Sequence, residues 1–272
     1  MSPSSTSIRV YRDCVNELAR VVTKLVNMSV GLGAVPSAWR TAIMTPVPKC
    51  MPVTALGDLR PISVTPILSR IVERLIVKDH IFPVIPVEQL HDQFGFKPTG
   101  STTAALVDLT NAVSIMLEDN KYVRCLLIDF SKAFDSVNHV VLINKLKLLN
   151  IPDNILQWVV AFLTDRDQYT KLGDKRSSTR FITRSIVQGS GIGPTLFVIC
   201  IIDLRPLSTI NHMTKYADDA SLLVPEQTDV EINEEFKHVL KWAVDNKLTV
   251  NMAKTKSLCF NCQILEIVYR LL

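Results

Sequence analysis

Apolar residues recur at three- and four-residue spacing over residues 10–29. Cys14, Leu18, Val21, Val22, Leu25 and Val26 share one face, and Gly31 and Gly33 close the run. This predicts an amphipathic helix. Pro36 to Pro48 reads as extended chain and leads into the irregular KCMPVTALGD. A second helix is predicted from Thr65-Pro66, a cap followed by proline at the first helical position. Ile67, Leu68, Ile71, Val72, Leu75 and Ile76 form its stripe, with Arg70, Glu73 and Arg74 facing out. A third starts near Ser101 or Thr102 and buries Leu106, Leu109, Val113 and Met116.

The pattern then changes period. VRCLLIDF, 123–130, carries a short continuous apolar run, as in a strand covered on both faces. Helices are predicted near 140–149 and 153–164, then a hairpin over 168–187 that turns at DKRSS. A helix follows from Pro194 to Leu204, then a hairpin around Ala217-Asp218-Asp219, a helix over 229–246 and a strand in AKTKSLCF. Strands and helices mix without strict alternation, so the fold class is α+β, with helices packed on an antiparallel sheet.

Composition changes the picture little. The chain has 272 residues, 47% of them hydrophobic and 21% charged, which suits a globular protein with a substantial core. A net charge of +4 permits a nucleic-acid partner without arguing for one. Six scattered cysteines form no disulfide framework and suit a reducing compartment. Cys259 and Cys262 form a lone CxxC without the four ligands of a structural zinc site. The N-terminus lacks an apolar signal core, and the longest apolar run, Leu196 to Ile202, is far short of the ~20 residues that span a bilayer. The expectation is a soluble intracellular protein, in nucleus or cytoplasm, with no membrane and no obligate protein partner.

The candidate chemistry lies at strand ends. Asp129 closes the apolar strand, and Asp218 and Asp219 stand at a hairpin tip. An acidic pair alone reads more readily as a solvated turn than as a metal site. An acid ending a fully apolar strand needs a partner. If the two strands are neighbours, three carboxylates meet and repel unless a cation neutralises them. Oxygen ligands select Mg²⁺ or Mn²⁺, and two such ions can clamp the attacking and leaving oxygens of a phosphoryl transfer.

Other segments fit around that centre. Phe134 falls where the chain turns from strand to helix, beside the space for a nucleotide sugar, or simply in the core. QGSGIGPTLF, 188–197, opens a helix with backbone N–H groups suited to phosphate or a template base, but it lacks the ending of a P-loop. Lys49 and Arg60 frame a loop and make a pair suited to a triphosphate, or a solvated surface. Lys254 is a candidate to protonate a leaving pyrophosphate, with Lys256 as its neighbour and competitor, or an ordinary surface lysine.

Together these segments resemble the reverse transcriptases of non-LTR retrotransposons, the LINE-type and jockey-like group, over roughly residues 36–260. WRTAIMTPVPK and LRPISVTPILSRIVERLI resemble its fingers motifs, and QFGFKPTGSTTAALVDL the block that follows. LLIDFSKAFDSVNH, QGSGIGPTLF, KYADDASLLV and LTVNMAKTKSLCF resemble the four palm motifs in order.

The resemblance implies a right-hand polymerase fold: an N-terminal helical segment over 1–35, fingers over 36–122, and a catalytic palm over 123–260. Residues 261–272 would be a tail ending before a thumb, and the chain would be a fingers-and-palm fragment of such an element or the product of a decayed copy. It implies an RNA-directed DNA polymerase using two Mg²⁺ or Mn²⁺ ions, an RNA template, a DNA primer and dNTPs. The alternative is a truncated, inactive RNA-binding remnant.

By motif match Asp129, Asp218, Asp219 and the Phe130 carbonyl would be metal ligands, and Phe134 the gate against the ribose 2′-OH. Gln188 and Gly189 would line the nascent base pair, and Tyr216 and Ala217 would pack near the primer end. Lys49 and Arg60 would hold the triphosphate, and Lys254 would be the acid. Lys97 stands where the group mostly has Arg, and Ile202 where Asn is typical.

Overall fold

In the computed structural model, which describes residues 8–261, the first amphipathic run is broken at Cys14 into α1 (Ile8–Asp13) and α2 (Val15–Gly31). Strands β1 (Thr41–Pro48) and β2 (Leu59–Val64) follow, then α3 (Ile67–Ile76) and α4 (Thr102–Asp119). Next come β3 (Tyr122–Ile128), α5 (Ala133–Ser136), α6 (His139–Lys147), α7 (Asp153–Leu163), β4 (Arg166–Leu172), β5 (Lys175–Arg176) and β6 (Arg180–Ile182). The described chain ends with α8 (Gly193–Cys200), β7 (His212–Tyr216), β8 (Asp219–Pro225), α9 (Ile232–Asp245) and β9 (Lys256–Asn261). Cys262, the second half of the CxxC, lies outside the described residues.

Two units interleave along the sequence. Among the described residues, the first draws on residues 8–85 and 142–196, the second on 86–141 and 197–261.

In the first unit β1 pairs antiparallel with β2 and parallel with β4, while β5 and β6 both pair with β4. Helix α2 packs on α7 through a stripe narrower than its periodicity predicts: Val21 and Leu25 are exposed. The seam is polar at its end. Trp158 Nε1 donates to Ser29 Oγ at 2.9 Å, and that hydroxyl donates to the Ala34 carbonyl at 2.6 Å. A buried indole N–H needs such a partner.

Helix α3 departs from its predicted stripe too. It buries Ser69, Val72, Glu73 and Ile76 and leaves Ile71 and Leu75 exposed. Glu73, expected to face solvent, is fully buried because backbone donors from another segment claim its carboxylate, as described below.

The second unit is built on a fully antiparallel sheet in the order β7-β8-β3-β9. The Ser101 hydroxyl caps α4 by accepting from Ala104 N–H at 3.0 Å. That helix lays Val113 and Leu117 against Val123, Cys125 and Leu223 of the sheet. Leu106, expected in this core, is instead exposed. Helix α9 buries Val239 and Trp242, and the Trp242 ring meets Phe130 edge-on at 6.1 Å. Strand β3 buries residues on both faces, which is why its sequence is continuously apolar. No helix among the described residues is long and apolar enough to cross a membrane.

Candidate active site

Strand register brings the carboxylates together in the second unit. Ile128 of β3 faces Ala220 of β8, so one step further along that register Asp129 comes level with Asp219. Across the next pair, Tyr216 of β7 faces Asp219. Strands β7 and β8 are joined by Ala217 and Asp218 alone, the two-residue loop of a tight hairpin. Ala217 lies at φ 55°, the left-handed region that residues with a Cβ seldom adopt.

The segment 92–95 holds that turn. Lys215 N–H donates to the Asp92 carbonyl at 2.7 Å, and Phe94 N–H to the Lys215 carbonyl at 2.8 Å. The buried Gln93 side chain accepts from both Gly95 N–H (2.9 Å) and Ala217 N–H (3.2 Å). A Cβ on Gly95 would stand 2.3 Å from Ala217 N, so only glycine allows this approach. Beneath it, Lys215 Nζ is fully buried. It pairs with Asp92 Oδ2 at 3.1 Å and donates to the carbonyls of Ile201 and Leu204, at 3.2 and 3.0 Å. Arg205 also contacts Asp92 Oδ2.

Asp129 is fixed through its backbone. Its N–H donates to Thr255 Oγ1 at 3.4 Å, and its carbonyl accepts from Asn251 N–H at 2.7 Å. These bonds bring the turn that carries Lys254 against the carboxylate edge. Asp129 Oδ2 is buried with no hydrogen-bond partner. Desolvation raises the Asp219 carboxyl above its ordinary value; the charges of Asp218 and Asp129 raise it further, and Lys254 opposes them. An orphaned carboxylate oxygen beside mutually repelling acids fits a divalent cation.

No group of three or more His, Cys, Asp or Glu side chains that could hold a metal ion is found among the described residues, so Asp129, Asp218 and Asp219 are not gathered into one. Phe130 is buried and bridges to Val250, which fixes the carbonyl that follows Asp129.

Phe134 lies on α5, which Lys132 opens from a left-handed conformation (φ 47°). Its ring stacks on Phe197 at 4.6 Å and meets Phe96 edge-on at 6.0 Å.

The remaining candidates belong to the first unit. Lys49 and Arg60 stand on the β1–β2 hairpin, where Val47 pairs with Arg60. The Lys49 ammonium donates to the Gly57 carbonyl at 2.9 Å, and its N–H to the Asp58 carbonyl at 2.7 Å. Asp58 organises the loop by accepting from Thr54 N–H, Thr54 Oγ1 and Ala55 N–H. The backbone and hydroxyl donors hold its carboxyl below the usual range.

Gln188 and Gly189 dock on β2: Ser63 N–H donates to the Gln188 carbonyl at 2.8 Å. Gly189, at φ 105°, comes so close that a Cβ would stand 2.5 Å from Ser63 O. Lys49, Arg60, Gln188 and Gly189 therefore share one framework. Asp129, Phe130, Phe134, Tyr216, Ala217, Asp218, Asp219 and Lys254 share the other.

The glycine loop corrects one expectation. Its Gly191 and Ile192 N–H groups do not await a phosphate. They donate to the buried Glu73 Oε2, at 2.5 and 3.2 Å, and Ser69 Oγ donates to Glu73 Oε1 at 2.6 Å. Sequence reasoning missed Glu73 and Gln93. Ser69, Val72, Glu73 and Ile76 recur at helical spacing, so the face that includes Glu73 was there to be read. Nothing local marks Gln93.

The family described as reverse transcriptase (RNA-dependent DNA polymerase) matches residues 47–267. The RNA-directed DNA polymerase from mobile element jockey of Drosophila melanogaster is 26% identical over 93% of this chain. Its counterpart from Drosophila funebris is 29% identical over 87%, and the probable RNA-directed DNA polymerase from transposon BS of Drosophila melanogaster 29% over 85%. The chain spans only 27 to 29% of the length of these relatives.

Among solved structures, telomerase from Candida tropicalis in complex with a fragment of telomeric RNA superposes with a TM-score of 0.58. It shares 12% identity, over 96% of this chain and 47% of that one. Apo telomerase from the same organism gives 0.56 at 13% identity, over 90% of this chain and 55% of that one. This likeness shows the fold, a right-hand polymerase with an antiparallel sheet. The chain belongs to the reverse transcriptase (RNA-dependent DNA polymerase) family, as a reverse transcriptase domain of the non-LTR retrotransposon type.

Proposed function

We propose that this chain is the fingers-and-palm part of an RNA-directed DNA polymerase that extends a DNA primer on an RNA template. The observation that carries this reading is the orphaned, buried Asp129 Oδ2 level with Asp219, whose carboxyl is raised by its acidic neighbours. Family membership implies dependence on a divalent metal and binding of an RNA template. In this reading residues 36–122 form the fingers and 123–260 the palm, with residues 142–196 packing in the first unit.

Asp129, Asp218, Asp219 and the Phe130 carbonyl would hold two Mg²⁺ or Mn²⁺ ions. When bound, these supply Lewis-acid activation of the primer 3′-OH and neutralise the triphosphate. A bond forms between the 3′-oxygen and the α-phosphorus of a dNTP, and the bond to pyrophosphate breaks.

The chain's own residues orient the reactants. Phe134, braced by Phe197, excludes a 2′-hydroxyl. Lys49 and Arg60 bind triphosphate oxygens, Gln188 and Gly189 line the nascent base pair, and Tyr216 and Ala217 contact the primer end. Lys254 donates the proton that pyrophosphate takes as it leaves.

The test is Mg²⁺-dependent dNTP incorporation on a primed RNA. Asp129→Asn and Asp218→Asn should each lower it by at least ~100-fold, the scale of losing several kcal/mol of charge stabilisation. Incorporation that survives either change overturns the assignment. RNA binding by the wild-type chain without any extension would favour an inactive RNA-binding remnant.

A further inference from the structure

We infer that the exposed arm Lys171–Arg184, formed by the end of β4 with β5 and β6, is a docking surface for a nucleic-acid strand. The surface takes the phosphodiester backbone and at least one unstacked base. The inference rests on the polymerase reading for the nature of the ligand.

Charge distribution is the first argument. The arm carries Lys171, Lys175, Arg176, Arg180 and Arg184, against Asp174 as its one acid. The chain has 30 Lys and Arg and 26 Asp and Glu, so 25 of each remain outside the arm. The whole formal excess of +4 therefore resides in these fourteen positions. All five bases are exposed, and none makes a salt bridge among the described residues.

Pairing is the second. Lys171 stands directly across from Arg176. Like charges in that position destabilise a ladder, and a bound polyanion removes the penalty. Charge of either sign would keep an exposed hairpin from pairing with another chain. Charge of a single sign also attracts phosphate.

Aromatic groups are the third. The Arg176 guanidinium lies over the Tyr169 ring at 3.7 Å, which orders its donors. Phe181 is 82% exposed, a poor choice for a free surface and a good platform for a base. The arm grows from a firm base: the buried Arg166 donates to the carbonyls of Phe162 and Trp39, at 3.1 and 3.2 Å.

The test uses the full chain and fluorescently labelled single-stranded RNA, single-stranded DNA of the same sequence, and the RNA–DNA duplex, without dNTP. Replacing Lys171, Lys175, Arg176, Arg180 and Arg184 with Gln should weaken binding of the preferred strand by ~10-fold or more. It should also flatten the slope of log K against log salt by up to ~3.5, at ~0.7 per phosphate on a single strand. The three arms identify which strand is bound. Phe181→Ala should weaken single strands by about tenfold and the duplex less. Lys237→Gln with Lys241→Gln, on α9, is the charge-matched control for Lys175→Gln with Arg180→Gln and should change neither quantity comparably.

Unchanged affinity and slope in the five-site variant overturn the inference, as does poly-glutamate competing as well as RNA. Should the five-site variant not fold, Lys175→Gln and Arg180→Gln are read singly, each expected to flatten the slope by ~0.7. Primer extension is measured separately. Its failure in the wild type counts against the polymerase reading and leaves the binding result standing.

Discussion

The side-chain oxygen of Gln93 accepts a hydrogen bond from the backbone N–H of Ala217, at 3.2 Å, at the one left-handed residue of the β7–β8 turn. Ala217 precedes the acidic pair, so this bond sets the direction in which Asp218 and Asp219 leave the sheet. Gln93→Leu leaves that buried N–H without an acceptor, at about 1–3 kcal/mol. The expected result is a lower maximal incorporation rate and a higher Mg²⁺ requirement, with little change in RNA affinity. Gly95→Ala should act the same way, because its methyl would fall 2.3 Å from Ala217 N. A titration of Mg²⁺ in a primer-extension assay reads both. Wild-type Mg²⁺ dependence in both variants would refute the positioning role.

Glu73 performs the matching task in the first unit. Its carboxylate satisfies two N–H groups of the glycine loop and the Ser69 hydroxyl. Glu73→Ala should cost on the order of 4–5 kcal/mol, since its three charge-assisted bonds contribute ~1.5 each and their donors stay buried. Glu73→Gln keeps the shape and one acceptor and should lose less. Urea midpoints at a constant slope test the order wild type, Gln, Ala. Equal midpoints for all three would mean that the loop holds without the carboxylate.

Glu73 and Gln93 also show where the sequence was legible. Element types followed periodicity where a helix buries one face, as α9 does, or where a strand such as β3 is covered on both. That Asp129 comes level with Asp219 was readable because acids that end apolar strands violate the ordinary cost of burial. The supporting side chains were not. Glu73 belongs to an apolar stripe, and its role depends on Gly191 far along the chain. Gln93 acts through one amide oxygen on a turn it reaches only after folding. Val21, Leu25, Ile71 and Leu75 failed in the opposite sense: a wide apolar stripe predicts which face packs, not how far the neighbouring helix extends over it.

Phe134 is braced on two sides, by Phe197 and by Phe96. Phe134→Val should open space beside the sugar and raise ribonucleotide use relative to deoxynucleotide use by roughly 10–100-fold, the scale on which a pocket discriminates small groups. Phe96→Ala removes only the edge contact and should produce a smaller shift in the same direction. The ratio of kcat/KM for a matched rNTP and dNTP is the measurement. An unchanged ratio in Phe134→Val removes this ring from sugar selection.

Lys215 links stability to alkaline pH. Burial pushes its ammonium down to about 8 from 10.5; Asp92 and Asp203 oppose the shift, and Arg205 adds to it. The folded chain therefore sheds this proton near pH 8, whereas the unfolded chain keeps it until about 10.5. Between those values the unfolded state binds more protons, so this residue's contribution to stability rises with pH. Below about pH 8 the cost of burying the cation is fully present. Lys215→Met cannot titrate, so the difference in urea midpoint, wild type minus variant, should climb across the window from pH 8 to 10.5 and be flat below it. Parallel profiles for the two proteins would show that Lys215 keeps its proton in the folded state and that Asp92 holds it more firmly than burial opposes it.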